Sequence, residues 1–313
     1  MTAAAIPPVP MALYDTQFEA FTETLVGAFR RYGFAIIGDH GIDPAIIEAA
    51  TRETKAFFAL SDETKRQYHI PGQGGARGYT PFGIETAKGA THKDLKEFWH
   101  MGRPLAPNHP YRAYMPDNVW PDLDQPEFRP AITALYDALD QLGLKVLRAI
   151  AHSLNLASDF FEAPVRDGNS VLRLLHYPPV DQPEGSIRAG AHEDINVITL
   201  LLGAEEAGLQ VKDRDGQWLD INPPPGALVC NIGDMLQRLT NHVLPSTTHR
   251  VINPSAERSA YSRYSTPFFL HFAPDYKIET LSNCISDEYT DRYPISITAN
   301  EYLQERLKEI KLT

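Results

Sequence analysis

Beyond Val171 the chain breaks into short apolar runs separated by turn residues, and this constrains the fold more than any other feature. The runs fall at 171–177, 197–202, 209–211, 218–221, 227–232 and 266–272. Each is too short for a globular helix, and the spacing predicts strands of a sandwich or barrel. Asp215-Gly216, between two of them, predicts a hairpin turn. The first half is different. Phe18, Phe21, Leu25 and Phe29 recur at helical spacing. Phe34-Ala35-Ile36-Ile37 reads as a buried strand, and Asp43-Pro44 as an N-cap with proline opening a helix that carries Ile46, Ile47, Phe57 and Phe58. Ser61-Asp62 starts a short helix, 94–99 reads as a strand, and 131–156 as a long scaffold helix. Thr298 and Glu301 form a capping box before Leu303, Leu307 and Ile310. Helices before and strands after give an α+β chain.

Composition narrows the function. At 313 residues, with 43% hydrophobic and 22% charged, the chain resembles an ordinary soluble globular protein. A net charge of -11 argues against a nucleic-acid or anionic-membrane surface. No run approaches the roughly 18 apolar residues of a membrane span. Met1 to Pro10 lacks the pattern of a signal peptide. Two cysteines, Cys230 and Cys284, are too few for a disulfide scaffold, and Cys230 in its apolar run reads as a core thiol. The expected location is the cytoplasm.

The chemistry lies among the strands. His192 and Asp194 are two residues apart, so on an extended strand both side chains point to one face and can reach one metal. A third donor comes from elsewhere, with His249 the best candidate and His242 its rival. Two imidazoles and a carboxylate form the donor set that holds non-haem Fe(II) with positions left open. Arg263 and Ser265 repeat the two-residue spacing and present a guanidinium and a hydroxyl suited to a carboxylate.

Three blocks together resemble the isopenicillin N synthase-like branch of the Fe(II)/2-oxoglutarate-dependent oxygenases: Gly190-Ala191-His192-Glu193-Asp194, Thr248-His249-Arg250-Val251 and Arg263-Tyr264-Ser265-Thr266-Pro267-Phe268-Phe269. The stretch from Gly33 to Ile42 and Arg77-Gly78-Tyr79 resemble that family's amino-terminal region, so the likeness covers nearly the whole chain. It implies a double-stranded β-helix (jelly-roll) core with N-terminal and flanking helices. Residues 1–165 would form a helical and strand region packed on the core, and 166–313 the jelly roll with a C-terminal helix. His192, Asp194 and His249 would ligate Fe(II). Arg263 and Ser265 would hold the distal carboxylate of 2-oxoglutarate, with Tyr177 assisting. O2 would complete the reactants, coupling decarboxylation of 2-oxoglutarate to hydroxylation, desaturation or cyclisation of a small molecule. No separate catalytic acid or base is implied. The gap from His249 to Arg263 is longer than is common, which leaves Arg258 as a rival anion ligand lacking a serine two positions on. Leu175 stands where plant members often carry asparagine.

Other readings compete. An iron oxidase of the isopenicillin N synthase type would need no 2-oxoglutarate and would use Arg263 on a substrate carboxylate. A binding or sensor protein would typically have lost a ligand, and a zinc hydrolase would need a general base not recognised near the triad. The glycine-rich 71–93 segment reads as a mobile loop or one that approaches a ligand closely, and the segment Arg77–Trp99 is expected to fold over the pocket mouth and contribute Tyr79 or Phe82 to substrate contacts. His40 reads as a hydrogen-bonded structural histidine; His92, His100 and His109 read as solvated loop residues.

Overall fold

The computed structural model describes residues 6–73, 75–84, 95–179, 188–203, 208–253 and 260–309. Its centre is two facing sheets. The larger has the order β1-β2-β10-β7-β12-β5-β4-β3: β1 Pro8–Pro10, β2 Phe34–Gly38, β10 Leu228–Ile232, β7 Ile198–Leu202, β12 Arg263–Leu270, β5 Val171–Tyr177, β4 Glu97–Gly102 and β3 Gly78–Thr80. The smaller runs β6-β11-β8-β9: β6 Ala189–His192, β11 His249–Val251, β8 Leu209–Lys212 and β9 Trp218–Asp220. Strands from β5 to β12 are shared between the two sheets, which is the jelly-roll arrangement. The larger sheet is continued at both edges by strands from the first half of the chain.

Helices cover the outer face of the larger sheet. α1 (Leu13–Thr16) leads into α2 (Phe18–Tyr32), which buries Phe21, Leu25, Val26 and Phe29. α2 ends at Gly33, whose φ of 70° is left-handed, and a Cβ there would lie 2.1 Å from the Thr247 hydroxyl. Only glycine turns this corner into β2 without strain. α3 (Pro44–Phe58) starts as predicted, the Asp43 side chain accepting the Ala45 N–H at 2.9 Å. Ser61 caps α4 (Asp62–Arg66) through the Thr64 N–H. The capping box holds too, Thr298 and Glu301 bonding reciprocally at 2.9 and 3.2 Å before the helix Ala299–Glu309.

Alternation along each strand splits the sandwich interior. Cys230, Leu200, Phe268, Leu172 and Trp99 face the helices and join Phe57, Phe128 and Leu139 in the main core. On the other face, Phe34, Ile36 and Val229 meet Leu209, Val211 and Ile221 of the smaller sheet and its flank. That second core fills one end of the space between the sheets; the other end carries polar side chains. No helix among the described residues is long and apolar enough to cross a membrane.

Some boundaries move. α5 spans Phe128–Ser153 rather than 131–156. Pro130 fits its first turn, where no N–H is needed, and Asn155 leaves the helix at φ 53°. β12 begins at Arg263 rather than 266, because its polar start still pairs with Tyr177, His176 and Leu175 of β5. The hairpin at Asp215-Gly216 is a five-residue loop between Lys212 and Trp218, organised by the Asp213 carboxylate accepting the N–H groups of Asp215 and Gln217. His100 is not a solvated loop residue. It lies in β4, 8% exposed, its Nδ1 2.6 Å from the Gly75 carbonyl and its Nε2 2.5 Å from Arg173.

Candidate active site

The polar end of the sandwich is built on one register. β6 and β11 are antiparallel neighbours with His192 opposite His249, their ring centroids 4.4 Å apart. Asp194 follows just beyond β6. Its Oδ1 lies 3.7 Å from His192 Nε2 and 3.8 Å from His249 Nε2. All three donors fall within 4.8 Å of one another, too far apart to hydrogen-bond and close enough to share one cation.

The remaining polar atoms of the triad are engaged. His192 Nδ1 is 2.7 Å from the Gly190 carbonyl and His249 Nδ1 is 3.1 Å from the Thr247 carbonyl. Each bond places the proton on Nδ1 and leaves the Nε2 lone pair facing inward. Asp194 Oδ2 accepts from Thr199 Oγ1 at 2.6 Å and Asn231 Nδ2 at 2.8 Å, which leaves Oδ1 facing the two imidazoles. Burial pushes the Asp194 carboxyl up, but His249, His192 and these two hydrogen bonds outweigh it and hold the group below the usual carboxylate range. Burial, then the neighbouring His249, lowers His192 to about 4. Its side chain is nevertheless 46% exposed. Two inward-facing imidazole Nε2 atoms and an ionised carboxylate fit Fe(II).

Thr199 and Asn231 are register partners across β7 and β10. Sequence reading missed both. The available signal was a polar residue inside an otherwise apolar buried strand, which must find a partner. Replacing Asn231 by alanine is expected to weaken Fe(II) binding about 10- to 100-fold with the fold retained, checked by anaerobic metal titration beside circular dichroism.

Arg263 and Ser265 stand on the facing sheet. Arg263 is opposite Tyr177, and Ser265 opposite Leu175. Arg263 is 1% exposed, its Nη1 3.4 Å from Ser265 Oγ and its guanidinium 5.2 Å from the centre of the Tyr177 ring. Leu175 packs with Phe98 and Tyr177 as an apolar wall. Arg258 lies outside the described residues, as does His92.

Other candidates stand elsewhere. His242 Nε2 is 2.6 Å from the Tyr293 hydroxyl, and the rings stack, so it is no third ligand to this cluster. Tyr79 is not placed as a pocket contact: in register with Trp99, it faces the helices and its hydroxyl donates to Glu97. Phe82 lies past β3, 41% exposed. His40 accepts the Ile42 N–H at 3.2 Å, and His109 that of Tyr111 at 3.2 Å.

Comparison with known proteins shows which family builds such a site. Residues 168–272 match the 2OG-Fe(II) oxygenase superfamily, and 6–123 match the non-haem dioxygenase in morphine synthesis N-terminal family. The 2-oxoglutarate-Fe(II) type oxidoreductase hxnY of Emericella nidulans is 36% identical over 287 residues, 88% of this chain and 81% of that protein. The chain belongs to the 2OG-Fe(II) oxygenase superfamily. A crystal structure of a member from Caulobacter crescentus is 62% identical with a TM-score of 0.93, covering 98% of this oxygenase and all of that chain (100%). A full-length Neurospora crassa protein, solved in complex with alpha-KG and thymine, is 29% identical with a TM-score of 0.85, covering 97% and 96%. The oxygenase is a 2-oxoglutarate-dependent dioxygenase using Fe(II), 2-oxoglutarate and O2 to oxidise a small molecule. The oxidase without 2-oxoglutarate is not favoured. When bound, iron and 2-oxoglutarate supply the oxidative decarboxylation and an oxidant for a substrate C–H bond. The protein supplies orientation and a shielded site.

Proposed function

We propose that His192, Asp194 and His249 hold the iron, that Arg263 and Ser265 grip the distal carboxylate of 2-oxoglutarate, and that the Tyr177 hydroxyl steadies it. One observation carries this reading. Each triad residue has its second polar atom engaged by the protein and its first turned to a common point, opposite a buried guanidinium on the facing sheet. A guanidinium and a hydroxyl two residues apart on one strand are suited to gripping a carboxylate.

The substrate is a small molecule in the cytoplasm rather than a nucleic acid. The net charge of -11 and two buried free thiols support that location and partner class. We take residues 1–165 and 166–313 as one working unit, a reading supported by the strands of the first segment that extend the larger sheet.

The test is an anaerobic titration with Fe(II) and then 2-oxoglutarate, followed by the visible metal-to-ligand charge-transfer band. Wild type should form the band. Arg263→Ala should need at least about thirtyfold more 2-oxoglutarate to reach half its intensity, since it removes one side of a buried charge pair. An unchanged half-saturation point would remove Arg263 from the cosubstrate site.

A further inference from the structure

Arg263 stands where β12 is held least. Among the described residues its register with β5 ends at Arg263 opposite Tyr177, and pairing with β7 starts only at Thr266 opposite Leu202. The stretch from Arg263 to Ser265 is therefore a ladder end paired on one side, and such ends fray unless something pins them.

The pin lies behind the sheet. Ser262, half-buried, directly precedes Arg263, and its hydroxyl lies 2.9 Å from His176 Nε2. His176 in turn directly precedes Tyr177, so this bond joins the neighbours of the two residues that end the ladder. The other ring nitrogen, Nδ1, is 2.7 Å from Glu97 Oε1 on β4. That carboxylate is itself fixed by Lys65 Nζ of α4 at 2.9 Å and by the Tyr79 hydroxyl. In the neutral ring the carboxylate keeps the proton on Nδ1, and Nε2 accepts from the serine. The imidazole is 7% exposed and held in place: it stacks on Tyr264 at 4.7 Å with planes 12° apart, and the Phe58 ring of α3 lies 5.2 Å away. Neighbours along a strand point to opposite faces. His176 and Tyr264 therefore lie behind the sheet, and Tyr177, Arg263 and Ser265 in front, the Arg263 guanidinium 5.2 Å from the centre of the Tyr177 ring. A bond made behind fixes where the two front side chains start.

We propose that the chain Glu97–His176–Ser262 positions Arg263 and Tyr177 for the cosubstrate, with His176 and Ser262 as positioning residues that do not touch it. The inference rests on the assignment of Arg263 to the 2-oxoglutarate carboxylate given above. Without the Ser262 bond, the aligned start of β12 becomes one arrangement among several, and affinity falls with the fraction of molecules that hold it. The worth of one such bond limits that loss to about tenfold.

The experiment titrates 2-oxoglutarate anaerobically into the full chain loaded with Fe(II), following the charge-transfer band, with Fe(II) affinity measured separately. Ser262→Ala should need about three- to tenfold more 2-oxoglutarate for half-saturation. Its band at saturation and its affinity for Fe(II) should stay at wild-type values, whereas a general loosening of the fold would weaken both ligands. Ser262→Thr, which returns the hydroxyl, should return half-saturation to that of wild type. His176→Phe keeps a ring against Tyr264 and drops both hydrogen bonds. In that background Ser262→Ala should cost nothing further, as expected of two changes that break one interaction. An unchanged half-saturation point in Ser262→Ala overturns the inference. So do equal losses in the alanine and threonine variants, a joint loss of iron and cosubstrate, or losses that multiply across the two sites. Ser262→Ala keeps the test decisive if the His176 variant fails to fold. If wild type forms no band, or Arg263→Ala leaves half-saturation unchanged, the cosubstrate assignment fails and the inference with it. Weakened binding in Arg263→Ala beside normal binding in Ser262→Ala overturns the positioning role alone.

Discussion

Asp194→Asn is expected to abolish Fe(II) binding at micromolar metal, with affinity lower by more than about a hundredfold and 2-oxoglutarate turnover lost. The carboxylate is the only anion among the three donors, and its Oδ1 faces both imidazole Nε2 atoms. The expected loss exceeds the roughly 10- to 100-fold typical of removing a supporting hydrogen bond, because a ligand and a charge both go. Thr199 and Asn231 would still anchor the amide, so folding should survive and the loss should appear in metal titration rather than in the melting curve. Tight iron binding by the variant would show that the metal sits elsewhere.

The second large effect lies behind the pocket. Glu97→Ala is expected to cost about 3–5 kcal/mol, the range for breaking a buried ion pair from one side. At this chain length that is a melting temperature lower by roughly 5–8 °C. Glu97, on β4, is 4% exposed and ties three other elements to its strand: Lys65 of α4 at 2.9 Å, Tyr79 of β3, and His176 of β5 at 2.7 Å. His176 stacks on Tyr264 of β12 at 4.7 Å and lies 2.9 Å from the Ser262 hydroxyl. Removing the Glu97 carboxylate leaves Lys65, 5% exposed, to the solvent-facing Asp62 carboxylate at 3.1 Å. Burial pushes the Glu97 carboxyl up, but hydrogen bonds from His176, Lys65 and Tyr79 hold it below the ordinary glutamate range. A depressed carboxyl stabilises the fold above its unfolded pKa, and that contribution is lost as pH falls through the folded value. The gap between wild type and variant should therefore narrow in acid. Thermal melts at several pH values check both statements, and a variant melting within about 1 °C of wild type at neutral pH would contradict them.

What could be read from the sequence was whatever is local. The spacing of Arg263 and Ser265 puts that pair on one strand face without reference to the rest of the fold, and the spacing of His192 and Asp194 keeps the two together although Asp194 falls just beyond β6. Helix caps at Asp43, Ser61 and Thr298 were legible for the same reason: the bond spans two or three residues. What was not legible depends on partners far along the chain. Thr199 and Asn231 look like ordinary polar residues until β7 and β10 pair and bring both to Asp194. Tyr79 illustrates the opposite error. Its glycine-rich context suggested the pocket, but register with Trp99 turns it to the helices. Which face a strand presents is a property of the pairing.

That pairing has a further consequence at the smaller sheet. His192 and His249 are directly opposed on neighbouring short strands, and the ladder already shifts between His249 and Val251. A slip of one residue in β11 would turn His249 outward and dismantle the donor set. A cation held by both rings therefore resists sliding of one strand past the other. Iron held there would double as a register lock on this short, irregular ladder, and metal loading would stabilise the aligned state by mass action.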